Sequence, residues 1–122
     1  MMERIEDREA AGRFAENWRA NWSRVDIDTV VAHFSEDAET RSPLAEKLTG
    51  SAVVQGADNI RQYWQKAYGH VKSADLQILT WSWDDNIRRL TIWWSLNGAR
   101  ASEFMDFDAS GRVVRSEAFY GK

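Results

Sequence analysis

The dipeptide Asn97-Gly98 constrains the fold of this chain more than any other feature of its sequence. A type I′ turn needs a positive φ at both central residues, and Asn followed by Gly meets that need at low cost. A two-residue loop also fixes the pairing of its flanking strands, because residue numbers across the hairpin then have a constant sum. The sequence therefore predicts an antiparallel hairpin in which Ile92 faces Glu103.

This register places one carboxylate, Glu103, on a face that is otherwise apolar or small. Side chains alternate between the two faces of a strand, so this face also holds Leu90, Ile92, Trp94, Leu96, Ala99, Ala101 and Met105. Burying an ionised carboxyl is unfavourable, so its pKa rises or it binds hydrogen-bond donors. Glu103 is therefore the candidate catalytic residue. The alternative is a structural carboxyl bound by backbone amides or by a tryptophan N–H.

A second turn is predicted at residues 108–111, Asp-Ala-Ser-Gly, because Asp is favoured first and Gly last in a type I turn. If all four residues form the loop, Glu103 faces Ser116 on the next strand. Ala118 and Tyr120 then lie on the same face as Glu103. A three-residue loop with a bulge would shift this register.

Hydrophobic periodicity predicts three helices and three further strands. The helices are expected over residues 7–22, 27–34 and 56–68. Strands are expected over residues 37–42, 52–55 and 74–83, with an irregular segment over 44–51. A two-residue turn after the last of these strands would put Leu79, Trp81 and Trp83 on the Glu103 face.

This order of elements predicts a single α+β domain over residues 1–122. We expect a cone-shaped, curved antiparallel sheet wrapped around three N-terminal helices, with an apolar pocket between sheet and helices. Besides Glu103, the predicted pocket residues are Phe14, Trp18, Ser42, Tyr63, Trp81, Ile92, Trp94, Met105, Ser116, Ala118 and Tyr120.

Composition argues against several classes of partner. A net charge of −3 without a basic block makes nucleic acid an unexpected partner. No apolar run is long enough to span a membrane, and the charged N-terminus lacks a secretory signal, so a cytoplasmic location is expected. Cysteine is absent, and the chain has no histidine pair at ligand spacing and no glycine-rich phosphate loop. No metal and no cofactor are predicted.

The opposite face of the predicted sheet mixes apolar and charged side chains. A mixed apolar patch on an open sheet is typical of a protein contact. We therefore expect a homodimer through this outer face, whose apolar residues are Trp93, Phe104, Val113 and Phe119.

Several segments spread over the whole chain carry a family resemblance. They are Phe34-Ser35-Glu36-Asp37-Ala38 before Pro43, Gly56 ahead of Ile60 and Tyr63-Trp64, and the run from Phe107 to Val114 with Phe119-Tyr120-Gly121. In these segments the chain resembles the nuclear transport factor 2-like superfamily, and within it the SnoaL-like polyketide cyclases and ketosteroid isomerases. The resemblance implies the cone-shaped fold and a homodimer, but this fold carries enzymes, binding proteins and scaffolds alike.

The resemblance also implies roles for three positions. Glu103 matches the carboxylic acid of the isomerase oxyanion hole and the catalytic acid of the cyclases. Ser42 stands where the isomerases have their proton-shuttling base, and it cannot serve as one. Trp18 stands where they have an oxyanion tyrosine, and it donates a hydrogen bond but no proton. The resemblance therefore favours a cyclase-like reaction with one carboxylate over steroid isomerisation.

Three functions remain open from the sequence. The first is an enzyme in which Glu103 is a general acid and base for an apolar carbonyl substrate, positioned by Trp18, Tyr63, Ser116 and Tyr120. The second is a protein that binds a small apolar ligand in the same pocket without turning it over. The third is a dimeric interaction module that acts through the outer sheet face.

Overall fold

The computed structural model describes residues 4–121 of the chain. Their elements are α1 (Arg8–Ser23), α2 (Ile27–Ala32), β1 (Phe34–Arg41), α3 (Pro43–Thr49), β2 (Val53–Gln55), α4 (Ala57–Tyr68), β3 (Leu76–Asp84), β4 (Arg89–Leu96), β5 (Ala99–Phe107) and β6 (Val113–Tyr120). The strands form one curved, unclosed sheet in the order β2-β1-β6-β5-β4-β3. Helix α1 packs against β3 and α4 packs against β1.

The predicted α+β class, with helices at the N-terminus and a curved sheet, is confirmed. Two details differ from the prediction. Strand β1 pairs with β6 in parallel, whereas the other strand pairs of the described sheet are antiparallel. The described chain also contains a helix, α3, that was expected to be irregular.

Helix α3 forms because strong local signals stand at both of its ends. Ser42 Oγ accepts the backbone N–H of Ala45 at 3.0 Å, which satisfies a donor of the first turn. Pro43 has its φ preset for the first helical position and needs no N–H partner there. Gly50, with φ +85°, ends the helix in the left-handed conformation. Pro43 therefore both stops β1 and starts α3.

The predicted pairing of β4 with β5 is confirmed along its whole length. Ile92 faces Glu103, and the turn residues Asn97 and Gly98 have φ +51° and +89°. On the outer face Arg89 forms two hydrogen bonds to Asp106, of 2.7 and 3.0 Å. Glu103 therefore lies on the predicted face of the hairpin.

The predicted pairing of Glu103 with Ser116 is wrong by two residues, because Glu103 faces Ala118. The loop between β5 and β6 is longer than four residues. The backbone N–H of Asp108 donates to the carbonyl of Arg112 at 2.9 Å, and the Asp108 carboxylate accepts the Arg112 N–H at 3.1 Å. A shift of two residues keeps Ser116, Ala118 and Tyr120 on the predicted face, so the alternation survives over this part of β6.

A bulge next to this loop changes the surroundings of Val113. The bulge lies between Asp106 and Phe107, and Val113 pairs with Phe107. Val113 is fully buried, so its predicted place on the outer face is wrong.

The turn between β3 and β4 is also longer than predicted. Asp84 pairs with Arg89, so four residues form the turn instead of two. The Asp84 carboxylate accepts the backbone N–H groups of Asn86 at 2.8 Å and Ile87 at 3.2 Å, which stabilises the wider loop.

Two of the three β3 side chains expected on the Glu103 face lie there. Trp81 pairs with Ile92 and Trp83 with Leu90, both on that face. Leu79 falls at a bulge between its neighbours and is 53% exposed, so its prediction is wrong.

The outer sheet face carries exposed aromatic side chains. Trp93 is 42% exposed and Phe119 is 50% exposed. Beside them, the Phe104 ring lies between two guanidinium groups, 4.0 Å from that of Arg89 and 5.5 Å from that of Arg115. This face is thus both apolar and charged, as predicted.

Helices that could cross a membrane are absent from residues 4–121, since none combines the necessary length and apolar character.

The β4–β5 turn offers a test of the register on which the site depends. Gly98→Ala should lower the free energy of unfolding by about 1 kcal/mol. The cause is backbone strain at φ +89°, because a Cβ built on Gly98 has no atom within 4 Å. Urea denaturation measures the change. Gly98→Asn is the control and should cost less, since Asn tolerates the left-handed region. Equal stability of Gly98→Ala and the parent chain would contradict the turn.

Candidate functional site

A cavity of about 290 Å³ lies between the sheet and helices α1 and α4, and it is partly open to solvent. Seven of the residues predicted for the site line it: Trp18, Ser42, Tyr63, Trp94, Glu103, Ala118 and Tyr120. The segment 69–75, the tip of the β4–β5 hairpin and the end of β6 supply its outer wall. Binding of a ligand by these residues stays a prediction.

Five predicted pocket residues do not line this cavity: Phe14, Trp81, Ile92, Met105 and Ser116. For Phe14 and Trp81 the reason is that α1 packs directly on the sheet at β3 and fills the space there. The Phe14 ring packs edge-on against Phe107, and a Cβ on Gly12 would lie 3.0 Å from the Trp81 ring. Side chains on the correct face therefore divide between a packed core and the cavity.

Ten further residues line the cavity and were missed by the sequence reasoning: Trp22, Val25, Thr40, Trp64, Tyr68, Val71, Ala74, Leu76, Leu96 and Asn97. For two of them the sequence contains a signal of burial, since Trp22 and Tyr68 belong to the apolar stripes of their helices. The loop residues carried none, because only the folded chain brings segment 69–75 over the cavity.

Glu103 borders the cavity without a polar partner. It pairs with Ile92 on β4 and with Ala118 on β6, and neither side chain can donate a hydrogen bond. Burial raises the pKa of the Glu103 carboxyl from 4.5 to about 8. The carboxyl is therefore mostly protonated at neutral pH and exchanges its proton close to it.

A purely structural Glu103 carboxyl would need hydrogen bonds from backbone amides or from a tryptophan N–H, and these contacts are absent from the described residues. Within residues 4–121, no backbone amide donates to this carboxyl, and the nearby Trp94 Nε1 has no hydrogen-bond partner. The Trp94 indole instead makes edge-on ring contacts, with centroid distances of 6.2 Å to Trp18 and 6.4 Å to Tyr120.

Tyr63 and Ser42 form a second polar group in the wall. The two hydroxyl oxygens are 2.9 Å apart, and Ser42 Oγ also caps α3. Burial raises the pKa of Tyr63 to about 12, and the Ser42 hydrogen bond opposes the shift. The Tyr63 hydroxyl therefore keeps its proton and can act as a hydrogen-bond donor.

Two further pairs of hydroxyl groups lie in or directly behind the wall. Thr40 Oγ1 lies 2.7 Å from Ser116 Oγ, in a buried contact between β1 and β6. Nearer to solvent, the hydroxyls of Tyr68 and Tyr120 interact, and burial raises the pKa of both phenols. All of these groups are neutral near pH 7.

The described wall of the cavity contains no lysine, arginine or histidine. Four tryptophans supply much of its apolar surface: Trp18, Trp22, Trp64 and Trp94. A carboxylate or phosphate ligand would find no countercharge in such a cavity. The wall instead suits an uncharged molecule with an apolar body.

Comparison with known proteins places the chain among relatives. A family model described as a SnoaL-like domain matches residues 15–119. No curated protein matches the chain significantly. A SnoaL-like protein of unknown function from Burkholderia thailandensis is 22% identical, with a TM-score of 0.87 and coverage of 96% of this chain and 98% of that chain.

Two similar structures belong to proteins that are described as enzymes. The epoxide hydrolase/cyclase-like enzyme SalBIII, of pyran ring formation in salinomycin, is 15% identical, with a TM-score of 0.74 and coverage of 96% and 95%. A putative SnoaL-like polyketide cyclase from Shewanella putrefaciens is 12% identical, with a TM-score of 0.71 and coverage of 90% and 79%. At these identities the similarity establishes the fold.

Burial of Glu103 predicts a pH-dependent stability difference. The folded chain holds a proton that the unfolded chain has released, so stability falls as pH rises from about 4.5 to about 8. Glu103→Gln has no carboxyl to ionise at this position, so at pH 8 it should be more stable than the parent chain. The difference in the free energy of unfolding is at most about 1.4 kcal/mol for each pH unit between the two pKa values. Urea denaturation at pH 5 and pH 8 measures the difference.

The matched control is Glu36→Gln, which removes a carboxylate at an exposed position of β1. Its effect on stability should be nearly the same at both pH values. A stability difference for Glu103→Gln that does not grow with pH would contradict the burial of this carboxyl.

Proposed function

The chain belongs to the SnoaL-like domain family, and on that premise we propose that it is an enzyme acting on small apolar carbonyl compounds. Glu103 is the catalytic group in this proposal and acts as a general base and then as a general acid. The observation that carries it is the position of one carboxyl, without a donor or a countercharge, on the wall of an apolar cavity. Perturbed carboxyls in clefts are enriched at catalytic sites.

The raised pKa suits proton transfer next to a carbonyl. General acid–base catalysis is most effective when the pKa of the group lies near the working pH. In the first step the Glu103 carboxylate takes a proton from the carbon beside the carbonyl. The electron pair of that C–H bond forms the carbon–carbon double bond of an enolate, and the carbonyl oxygen becomes negative. Return of the proton to carbon completes an isomerisation or exchange.

The rest of the cavity supports an uncharged substrate. Its tryptophan rings can cover an apolar body, and its hydroxyls can bind one or two oxygen atoms. The cyclase descriptions of two similar structures agree with chemistry of this kind, although they belong to those proteins.

A second candidate is a protein that binds an apolar ligand without turning it over. One observation favours it: the described cavity wall contains a single carboxyl. The family resemblance also places Ser42 where the isomerases have their base. The Ser42 hydroxyl already caps α3 and contacts Tyr63. Under this function a bound ketone would leave the cavity without proton exchange.

We also propose that the chain forms a homodimer through the outer sheet face. The exposed aromatic side chains Trp93 and Phe119 would be covered by a second copy. Around them, the charges of both signs on Arg89, Asp106 and Arg115 make the face complementary to itself.

Sedimentation velocity at micromolar concentration tests the dimer. The parent chain should sediment as a dimer and Trp93→Asp as a folded monomer, because the introduced carboxylate would be buried without a partner. Gln65→Asp is the control, since Gln65 is exposed on α4, which packs on the other face of the sheet, and should leave the dimer intact. A monomeric parent chain would exclude this interface.

Deuterium exchange tests the proposed chemistry directly. The probe is 2-acetylnaphthalene, an apolar ketone whose methyl protons lie next to the carbonyl. In D₂O the protein should speed deuterium uptake into this methyl group, followed by mass spectrometry. The protein-dependent rate should rise with pH up to about 8 and then level off, because the carboxylate is the base.

Glu103→Gln is the matched variant, since it preserves shape but cannot accept the proton. Its exchange rate should fall by on the order of 10²-fold or more, toward the rate in buffer. Exchange at the parent rate in this variant would exclude Glu103 as the base. Binding of the ketone without any exchange by the parent chain would favour the binding protein.

A further inference from the structure

Each hydrogen-bonded pair of hydroxyl groups at the cavity wall leaves one proton unused. Ser42 and Tyr63 both line the cavity, and their oxygens are 2.9 Å apart. Two hydroxyls joined by one hydrogen bond use one proton and leave the other free, whichever oxygen donates. Ser42 Oγ also accepts the N–H of Ala45, so that contact uses a lone pair and no hydroxyl proton. Within residues 4–121, this pair therefore presents one unused proton to the cavity.

The Thr40–Ser116 pair beside it has the same surplus. Its oxygens are 2.7 Å apart, and Thr40 lines the cavity whereas Ser116 is fully buried. A free hydroxyl proton on Ser116 would be buried without an acceptor, which is unfavourable. Ser116 therefore donates to Thr40, and the Thr40 proton turns toward the cavity. Because Thr40 lies near the end of β1 and Ser42 follows it by two residues in an extended backbone, both spare protons lie on one wall.

We propose that this hydroxyl wall, formed by Thr40, Ser42 and Tyr63, binds the carbonyl oxygen of the substrate, and that the cavity selects ligands that accept hydrogen bonds. The Ser42–Tyr63 pair is the primary donor. A ligand that only donates hydrogen bonds, such as an ammonium ion, leaves the spare protons unpaired. A ketone, quinone or ether satisfies them.

The position of this wall relative to Glu103 fits one substrate molecule. Glu103 faces Ala118 on β6, and β1 lies on the other side of β6, where Arg41 pairs with Glu117. The carboxyl and the hydroxyl wall are therefore two strands apart, about 10 Å between backbones. Ala118 has the smallest side chain of this stretch and leaves the space between them open. A carbonyl oxygen at the wall can then have its neighbouring carbon near Glu103.

This inference rests on the proposed function for the identity of the reacting group. When the Glu103 carboxylate removes a proton from carbon, the C–H electron pair forms the new double bond and the carbonyl π pair moves to oxygen. The Ser42–Tyr63 donor then bonds to a negative oxygen and keeps its own proton. Donors that strengthen as charge develops are the usual source of stabilisation at such a step.

The test compares two probes of similar shape. 2-Acetylnaphthalene has a carbonyl oxygen, whereas 2-ethylnaphthalene has none, and quenching of tryptophan fluorescence measures both affinities. We expect the parent chain to prefer the ketone. Ser42→Ala and Tyr63→Phe each keep one hydroxyl proton and should keep most of the preference. The double variant should lose roughly two- to tenfold of it, with binding of the hydrocarbon unchanged.

Affinity for the hydrocarbon is the internal control for an intact cavity, because Ser42→Ala also removes the cap of α3.

The infrared band of the ketone, labelled with carbon-13 at the carbonyl, gives a second measurement. In the parent chain this band should lie below its position in hexane, and it should stay there in Glu103→Met. An unshifted band in the parent chain, or an unchanged ketone preference in the double variant, overturns the inference.

The outcomes separate this inference from the proposed function. In one outcome, the parent chain prefers the ketone, the double variant loses this preference, and the parent chain does not speed deuterium exchange. This outcome supports the hydroxyl wall and excludes the proposed enzyme. In the other outcome, deuterium exchange depends on Glu103 and the infrared band shift is lost in Glu103→Met. The carbonyl oxygen is then bound by the Glu103 carboxyl, which overturns the hydroxyl wall.

Discussion

The pairing of β5 with its two neighbours is the constraint on which the site depends. The positive-φ turn at Asn97-Gly98 sets β4 against β5 and places Glu103 opposite Ile92, while the loop before β6 places Ala118 on its other side. Both neighbours are apolar, so burial is not offset by a donor and the carboxyl holds its proton near neutral pH. A slip of one residue would turn Glu103 to the outer face and remove the acid from the cavity.

Curvature of the sheet divides its concave face into two regions. Where α1 meets β3, the absence of a side chain at Gly12 allows the Trp81 ring to approach the helix, and the space is filled. Toward α4 the space stays open, and the tyrosines of that helix project polar groups into an aromatic cavity. The same apolar face of the sheet therefore serves both as core and as a site.

The site carries a cost in stability that the packed core does not. A carboxyl without donors destabilises the folded chain wherever it must ionise, whereas Tyr63 and Ser42 share a hydrogen bond that ties α4 to the start of α3. Carboxyls with a perturbed pKa in a cleft are enriched at catalytic sites. The contrast between the unpaired acid and the paired hydroxyls supports a division into a proton-transfer group and a binding group.

Short-range chemistry by itself determined the faces of the strands in this protein. The Asn97-Gly98 turn and the period-two alternation located Glu103, and the helix periodicity located Trp18 and Tyr63, because these signals need only neighbouring residues. Local signals for α3 were also present at Ser42, but they were assigned to the end of a strand.

Only the tertiary structure decided the registers of the two longer loops and the extent of the cavity. The Asp84 and Asp108 carboxylates accept backbone N–H groups within these wider loops, and the pairing of the strands on either side decides which loop length is formed. Likewise, Phe14 and Met105 lie in the core while Thr40 and Tyr68 line the cavity. A side chain lies in the core where a helix is close to the sheet and lines the cavity where the helix is farther away. That distance arises from packing among residues far apart in the chain.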